Sequence, residues 1–398
     1  MDEALALLPI AGTGAGRAPR WMPALAAALV RIDAAGDVEP LLDPWQEPGD
    51  RARAFAAMAL AYADLGRVGD ARLSAQQAAQ AADGSPPDST WAHVAQALAC
   101  AGAGEAAEEL LRQHLLPTDR SKKGEWRRAD RLARLAVAAG LAAHDQERSD
   151  KLLLPLLEDL HASKDSPQGR STLLARLAAL LPVVTATGAD GRHPYAALLQ
   201  EVQDVGLGYA DRKDPNTWQP ETVLVHALLR IGADEDPGGQ LEWLTRGVAN
   251  RGPEHFPTAA LAVVHAAMGD AETALRVAER AADPRARAVA LTAAAGHLAR
   301  VPVRPLPALD PTTQPDSFTR TVQHLALEVT SHTPADYRAA SSFLRLALST
   351  AGWHHALPVL ALVEPEAVAR VRDIAVVHTR AAGRGGSEEA EFDGRWGR

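Results

Sequence analysis

Arginine is the residue type through which this chain can do most chemistry. The sequence has 398 residues and 41 basic side chains, of which lysine accounts only for positions 122, 123, 151, 164 and 213. A guanidinium presents a planar fork of donors that meets a carboxylate or phosphate in two-pronged geometry, so arginine-bearing surfaces select acidic or phosphorylated partners. The densest basic run, "RSKKGEWRRADRLAR" at 120–134, also contains Trp126. Arginine beside tryptophan is the composition of a binding hot spot, or of a platform on which bases stack. The competing reading of the run is the solvated start of a helix. A formal net charge of −9 opposes a general affinity for nucleic acid or anionic membrane, since either requires a positive field.

Other constellations fall short of the chemistry they suggest. "GTGAGR" (12–17) offers glycine amides of the kind that cradle phosphate at a helix start. No strand precedes it and no Gly-Lys dipeptide occurs in the chain, which excludes a Walker A loop and leaves a flexible linker. None of the 14 histidines is followed by glutamate, so no H-E-x-x-H zinc pair exists. On an α-helix the adjacent His354 and His355 would point about 100° apart, too divergent for both to chelate one ion. Cys100, the sole cysteine, can anchor neither a zinc site nor an intrachain disulfide. No serine lies in G-x-S-x-G, which removes the nucleophile elbow, and no two aspartates are adjacent, which removes one common acidic motif of helical terpene cyclases. "ADEDP" (233–237) clusters three carboxylates at a hairpin turn, where a solvated role is expected. No metal and no cofactor is expected, and no catalytic residue is assigned.

The elements that must position these side chains are helices. Hydrophobic residues make up 47% of the chain but aromatics only 4%, so the core is built from Ala, Leu and Val, and strand formers are sparse. From Arg53, residues Phe55, Met58, Ala59 and Tyr62 fall at helical spacing, Gly66 stops the helix, and Ala71, Ala75 and Ala78 line one face of the next. Such a hairpin cannot bury both faces alone, so copies of it must stack. A second copy has Trp91, Val94, Ala95 and Leu98, then Gly102, Ala107 and Leu111, closing near Pro117; a third has Leu261, Ala262 and His265, then Gly269, Ala274 and Ala278, closing at Pro284. The small residues Ala59, Ala95 and Ala262 permit close helix approach. His265 stands where a packing aromatic is expected. Turn glycines are expected at Gly36, Gly66, Gly102 and Gly140, and again at Gly232 and Gly269.

This pattern resembles the tetratricopeptide repeat, with Phe55, Met58, Ala59 and Tyr62 matching its first helix and Ala71 and Ala75 its second. The resemblance implies an all-α, right-handed solenoid of about nine helical hairpins whose first helices line a concave face. Transposing the family's groove puts Arg53, Gln96, Arg127, Arg134, His226 and Arg230 on that face. Asparagine occurs only at 216 and 250, so the Asn-containing clamp that some relatives use for a peptide carboxylate has no counterpart. The array is expected over 1–300, a proline-rich loop over 301–316, a terminal helical cap over 317–380 and a disordered tail over 381–398. A half-hairpin at 2–8 hints at the separated sensor arm of a bacterial regulator.

The function expected is therefore a non-enzymatic protein- or peptide-binding scaffold, with an acidic partner, no nucleic acid and no membrane. The alternative is a helical-toroid enzyme acting on a small molecule at the centre of a ring. Exposed ends would favour the scaffold; a closed, acid-lined apolar cavity would favour the enzyme. The start "MDEALALLPIAG" is acidic where a signal peptide is basic, and no uncharged apolar stretch reaches the roughly 18 residues of a spanning helix, so a cytoplasmic location is expected.

Overall fold

A computed structural model describes residues 18–45, 47–83, 89–114, 128–153, 220–232, 234–252, 256–301 and 333–377, with isolated positions 1, 5, 319, 322, 323, 326, 327 and 330. The half-hairpin at 2–8 apart from Leu5, the linker at 12–17, the proline-rich loop after Val301 and the tail from 381 lie outside the described residues, as does the run 115–127. Helix accounts for 79% of the structure, and no strand occurs among the described residues. No helix among them is long and apolar enough to cross a membrane.

In chain order the helices are α1 (Met22–Arg31), α2 (Val38–Leu42), α3 (Pro48–Asp64), α4 (Val68–Ala82), α5 (Ser89–Cys100), α6 (Gly104–His114), α7 (Arg128–Leu141) and α8 (146–153). After residues that are not described come α9 (Pro220–Gly232), α10 (Gly238–Arg251), α11 (Thr258–Ala267), α12 (Ala271–Glu279) and α13 (Pro284–Leu298). Then follow α14 (Tyr337–Leu348), a 3-10 turn Trp353–Ala356, α15 (Leu357–Val363) and α16 (365–377). Neighbouring helices pair as hairpins, α3 with α4, α5 with α6 and α11 with α12; the first helices also pack on one another in the order α1, α3, α5, α7, and α11 on α13.

One local device ends six of these first helices. Asp33, Gly66, Gly102, Asp234, Gly269 and Arg300 all adopt the left-handed conformation, with φ between 56° and 80°, at intervals of 31 to 36 residues within each described stretch. Each is followed by an amide that reaches back five residues: Ala34 to the Leu29 carbonyl at 2.8 Å, Arg67 to Tyr62 at 2.9 Å, Ala103 to Leu98 at 2.8 Å, Glu235 to Arg230 at 2.9 Å, Asp270 to His265 at 3.0 Å and Val301 to Gly296 at 2.9 Å. This is the Schellman closure, which satisfies carbonyls that the helix leaves without partners. The turn glycines expected from sequence divide accordingly. Gly66, Gly102 and Gly269 hold the left-handed position. Gly36 sits in a short 3-10 turn after Asp33, and Gly232 is the last residue of α9, ahead of Asp234. Gly140 lies inside α7, where an added Cβ would come within 2.9 Å of the Ala99 Cβ and of the Cys100 backbone nitrogen.

The first helices form the core. Residues 90–101, 260–267 and 288–299 are buried without interruption, as expected of helices apolar all round. Ala59, Ala95 and Ala262 are wholly buried. Second helices are amphipathic: α4 buries Ala71, Ser74, Ala75, Ala78 and Ala82 and leaves Leu73 in solvent. Ion pairs tie one hairpin to the next, Arg31 to Asp64 at 2.8 Å across 33 residues and Arg67 to Asp33 at 2.9 Å across 34.

The first and last parts of the described residues meet. Helix α1 packs against α15, Trp21 lies 6.0 Å from Trp353 between ring centroids, and Arg372 pairs with Asp37 at 2.7 Å across 335 positions.

Candidate functional site

Of the arginines assigned to a groove, Arg53, Arg134 and Arg230 sit on first helices and keep partial exposure. Arg53, one turn into α3, has 31% of its side chain exposed and pairs with Asp50, three residues earlier. Asp50 is buried and also accepts the Ala18 amide at 2.7 Å, so its carboxylate pins the incoming chain while Arg53 neutralises it. Arg230, at the end of α9, has 35% of its side chain exposed and pairs with Glu235 at 3.1 Å. Arg134 is half-buried on α7. Gln96 is wholly buried in α5, because that helix is covered on every side, and so stands in the core rather than on an open face. Arg127 lies outside the described residues, and so does the side chain of His226, whose backbone belongs to α9. A guanidinium carries five N–H donors, so Arg53 and Arg230 retain donors for an external oxyanion after their internal pairing.

A hydroxyl, an imidazole and a carboxylate converge between α10 and α12. Thr245 Oγ1 lies 2.9 Å from His265 Nε2, and His265 Nδ1 lies 3.9 Å from Asp270. The order is that of a nucleophile, a base and an orienting acid. The hydrogen bonds assign a different role. Thr245 donates its hydroxyl proton to the Leu241 carbonyl at 2.8 Å, so Nε2–H must be the donor to Thr245 and the imidazole is not set to take a proton from it. Asp270 is committed to capping α12 through the Thr273 amide at 3.0 Å. Burial pulls the His265 pKa down, against the raising effect of Asp270, and Arg276 lowers it further. Burial raises the Asp270 pKa, but the hydrogen bonds from Thr273 outweigh it and the carboxyl ends below its ordinary value. His265 therefore clamps α11 to α10, the packing role its sequence position suggested. The Thr245 partnership was not legible, because nothing in the spacing of residues 245 and 265 announces it.

A second polar concentration lies where α1 approaches the 3-10 turn Trp353–Ala356. His354 and His355 do not diverge as on an α-helix. They occupy the 3-10 turn Trp353–Ala356, buried, with ring centroids 4.4 Å apart. Gly352 seats this turn on α13: an added Cβ would come within 2.8 Å of the Arg285 Cα and 2.9 Å of the Ala288 Cβ. Farther along α13, His297 is buried with Nδ1 unpartnered. Burial, aided by the nearby Arg300 charge, brings its pKa down to about 4. Among the described residues no group of three His, Cys, Asp or Glu side chains could hold a metal ion.

Neither family models, nor curated proteins, nor solved structures give a match to this chain. Function must therefore be read from these residues themselves. Partly exposed arginines can bind oxyanions, and burial keeps His265 and His297 below the ordinary imidazole pKa.

Proposed function

We propose that this protein is a non-enzymatic helical-repeat scaffold, a right-handed solenoid of tetratricopeptide-like hairpins that binds an acidic or phosphorylated protein segment in the cytoplasm. The observation that carries the reading is the recurrence of one helix-closing motif at intervals of 31 to 36 residues, on helices that stack on their counterparts. Repetition of one supersecondary unit builds an extended surface, and binding is the work such surfaces do. Recognition falls to Arg53, Arg127, Arg134 and Arg230, helped by His226. Gln96, buried in α5, serves the core instead. Attachment to a separate regulatory chain as its sensor arm fits the same reading.

The test is co-purification from the native host with wild type beside Arg127→Glu/Arg134→Glu. A partner that is lost with the variant, and whose affinity falls with added salt, supports the scaffold. A partner indifferent to both charges refutes the arginine surface, provided the variant keeps its helicity.

A second reading, a closed toroid acting on a small molecule, is favoured by the contact of α1 with α15. Asp50 is the one buried carboxylate among the described residues, and it already holds the Ala18 amide and Arg53. Conversion of a small molecule in a host metabolite extract by purified protein would move the toroid ahead of the scaffold.

A further inference from the structure

Two arginines on the outer face of α14, Arg338 and Arg345, are exposed and form no ion pair among the described residues. They stand seven residues apart, which on a helix is about 10 Å along the axis and within about 20° of one direction, so both guanidiniums project from one stripe. Ser342 lies between them on that stripe and Ser349 beyond, while the opposite face of α14 is buried in the core. The two serine hydroxyls turn back onto the helix, donating to the Arg338 and Leu346 carbonyls, which leaves the guanidiniums as the outward donors. Tyr337 and Leu346, both exposed, add apolar surface on the flanks of the stripe.

The surroundings of the stripe are poor in acid. Neither α13, against which α14 packs, nor the chain from Tyr337 to Val363 contains a carboxylate, in a protein whose formal net charge is −9. Arg285, exposed on the first turn of α13, is a third guanidinium without an ion pair among the described residues. Its Cα lies 2.8 Å from where a Cβ on Gly352 would stand, just past the end of α14. The acids that flank this hairpin are engaged: Asp283 and Asp336 accept backbone amides as helix caps, and Glu364 accepts from the Ser341 hydroxyl. Glu272 and Glu279 stand on α12, which packs on α11 and α13. Arg53 and Arg230, by contrast, each spend donors on an internal partner, Asp50 and Glu235.

We propose that the outer face of α14 is a docking surface for an acidic peptide segment, separate from the arginines assigned to the groove. The fit is one of charge and spacing. Guanidinium forks take carboxylates in two-pronged geometry, and carboxylates about 10 Å apart occur three residues apart on an extended segment or seven apart on a helix. Tyr337 and Leu346 offer apolar surface that the aliphatic stems of the acidic side chains can cover. Docking here leaves the buried first helices undisturbed, because the stripe already faces solvent.

The test is the fluorescence anisotropy of a labelled oligoglutamate peptide titrated with the full chain, beside a Gly-Ser peptide of the same length as the neutral control. Wild type is expected to bind the acidic peptide saturably, and Arg338→Glu/Arg345→Glu to weaken that binding about tenfold or more. Raising salt from about 50 mM to about 300 mM is expected to weaken the wild-type complex. Arg127→Glu/Arg134→Glu changes the net charge by the same amount and is expected to leave this binding intact. Arg338→Gln/Arg345→Gln removes the donors without adding repulsion, and decides alone if the charge reversal lowers helicity. No saturable binding by wild type, equal binding of the neutral peptide, equal loss in the two charge reversals, or full binding by the folded α14 variants overturns the docking surface. Loss with Arg127→Glu/Arg134→Glu alone leaves the groove arginines standing and removes α14.

Discussion

Replacing three glycines by alanine separates three physical roles that look alike in the sequence. At Gly66, φ is +72° and an added Cβ meets nothing within 4 Å, so the whole effect is conformational. Holding an L-residue there costs about 1–2 kcal/mol. Alanine also restricts the unfolded chain, which returns about 0.4–1 kcal/mol, leaving a net loss of about 0.5–1 kcal/mol. At Gly36 there is equally open space and no positive φ, so only the unfolded-state term remains and a gain of about 0.5 kcal/mol is expected. At Gly140 the backbone is helical, but the Cβ would stand 2.9 Å from the Cys100 nitrogen and from the Ala99 Cβ, neither of which can swing aside. Overpacking of about 1–3 kcal/mol against a helix-propensity gain of about 1 kcal/mol leaves a loss of about 0–2 kcal/mol. The assay is the midpoint of urea unfolding followed by circular dichroism at constant slope. Gly66→Asn serves as the internal control, because asparagine tolerates the left-handed region better than alanine. If Gly36→Ala cost as much as Gly66→Ala, or if Gly66→Asn were no milder than Gly66→Ala, the assignment of the helix-closing motif would be wrong.

Three further outcomes are expected. Ala59→Trp forces a large ring into a wholly buried contact and should lower stability by about 3 kcal/mol; an unchanged melting curve would show that Ala59 is not at a close helix junction. His297 titrates near 6.5 when unfolded and about 4 when folded, so its contribution is complete above about pH 6.5 and declines as pH falls toward 4. That decline is worth about 2 kcal/mol by pH 5, should shrink in His297→Gln, and is refuted if the two urea midpoints fall in parallel with acid. His265, lowered in the same direction, adds to the same limb. Arg372 and Asp37 are both partly exposed, so a double-mutant cycle with alanine should return only about 0.2–1 kcal/mol, falling with salt; a coupling several times larger would mean the pair is desolvated by its surroundings.

The sequence alone carried the helical class, the hairpin as its unit and the small residues at the junctions, because alanine-rich 3.6-residue periodicity and glycine stops are local signals. Phe55, Ala59 and Tyr62 are buried as that periodicity requires, and Gly66, Gly102 and Gly269 close helices where expected. The closures at Asp33, Asp234 and Arg300 were invisible. Aspartate and arginine reach a positive φ only when a following amide and surrounding packing hold them there, so composition does not mark them. Gly140 was misleading for the converse reason, since its lack of a side chain serves a contact with α5 some forty positions away. The candidate site divides the same way. Arginine content is written in the chain, and so is its preference for oxyanions. Whether Gln96 faces solvent or core, which hydroxyl His265 meets, and whether the first and last hairpins stand apart or clasp each other depend on contacts between residues distant in sequence. Only the packed structure decides them, because the free energy of those contacts comes from surfaces that do not exist until the helices are assembled.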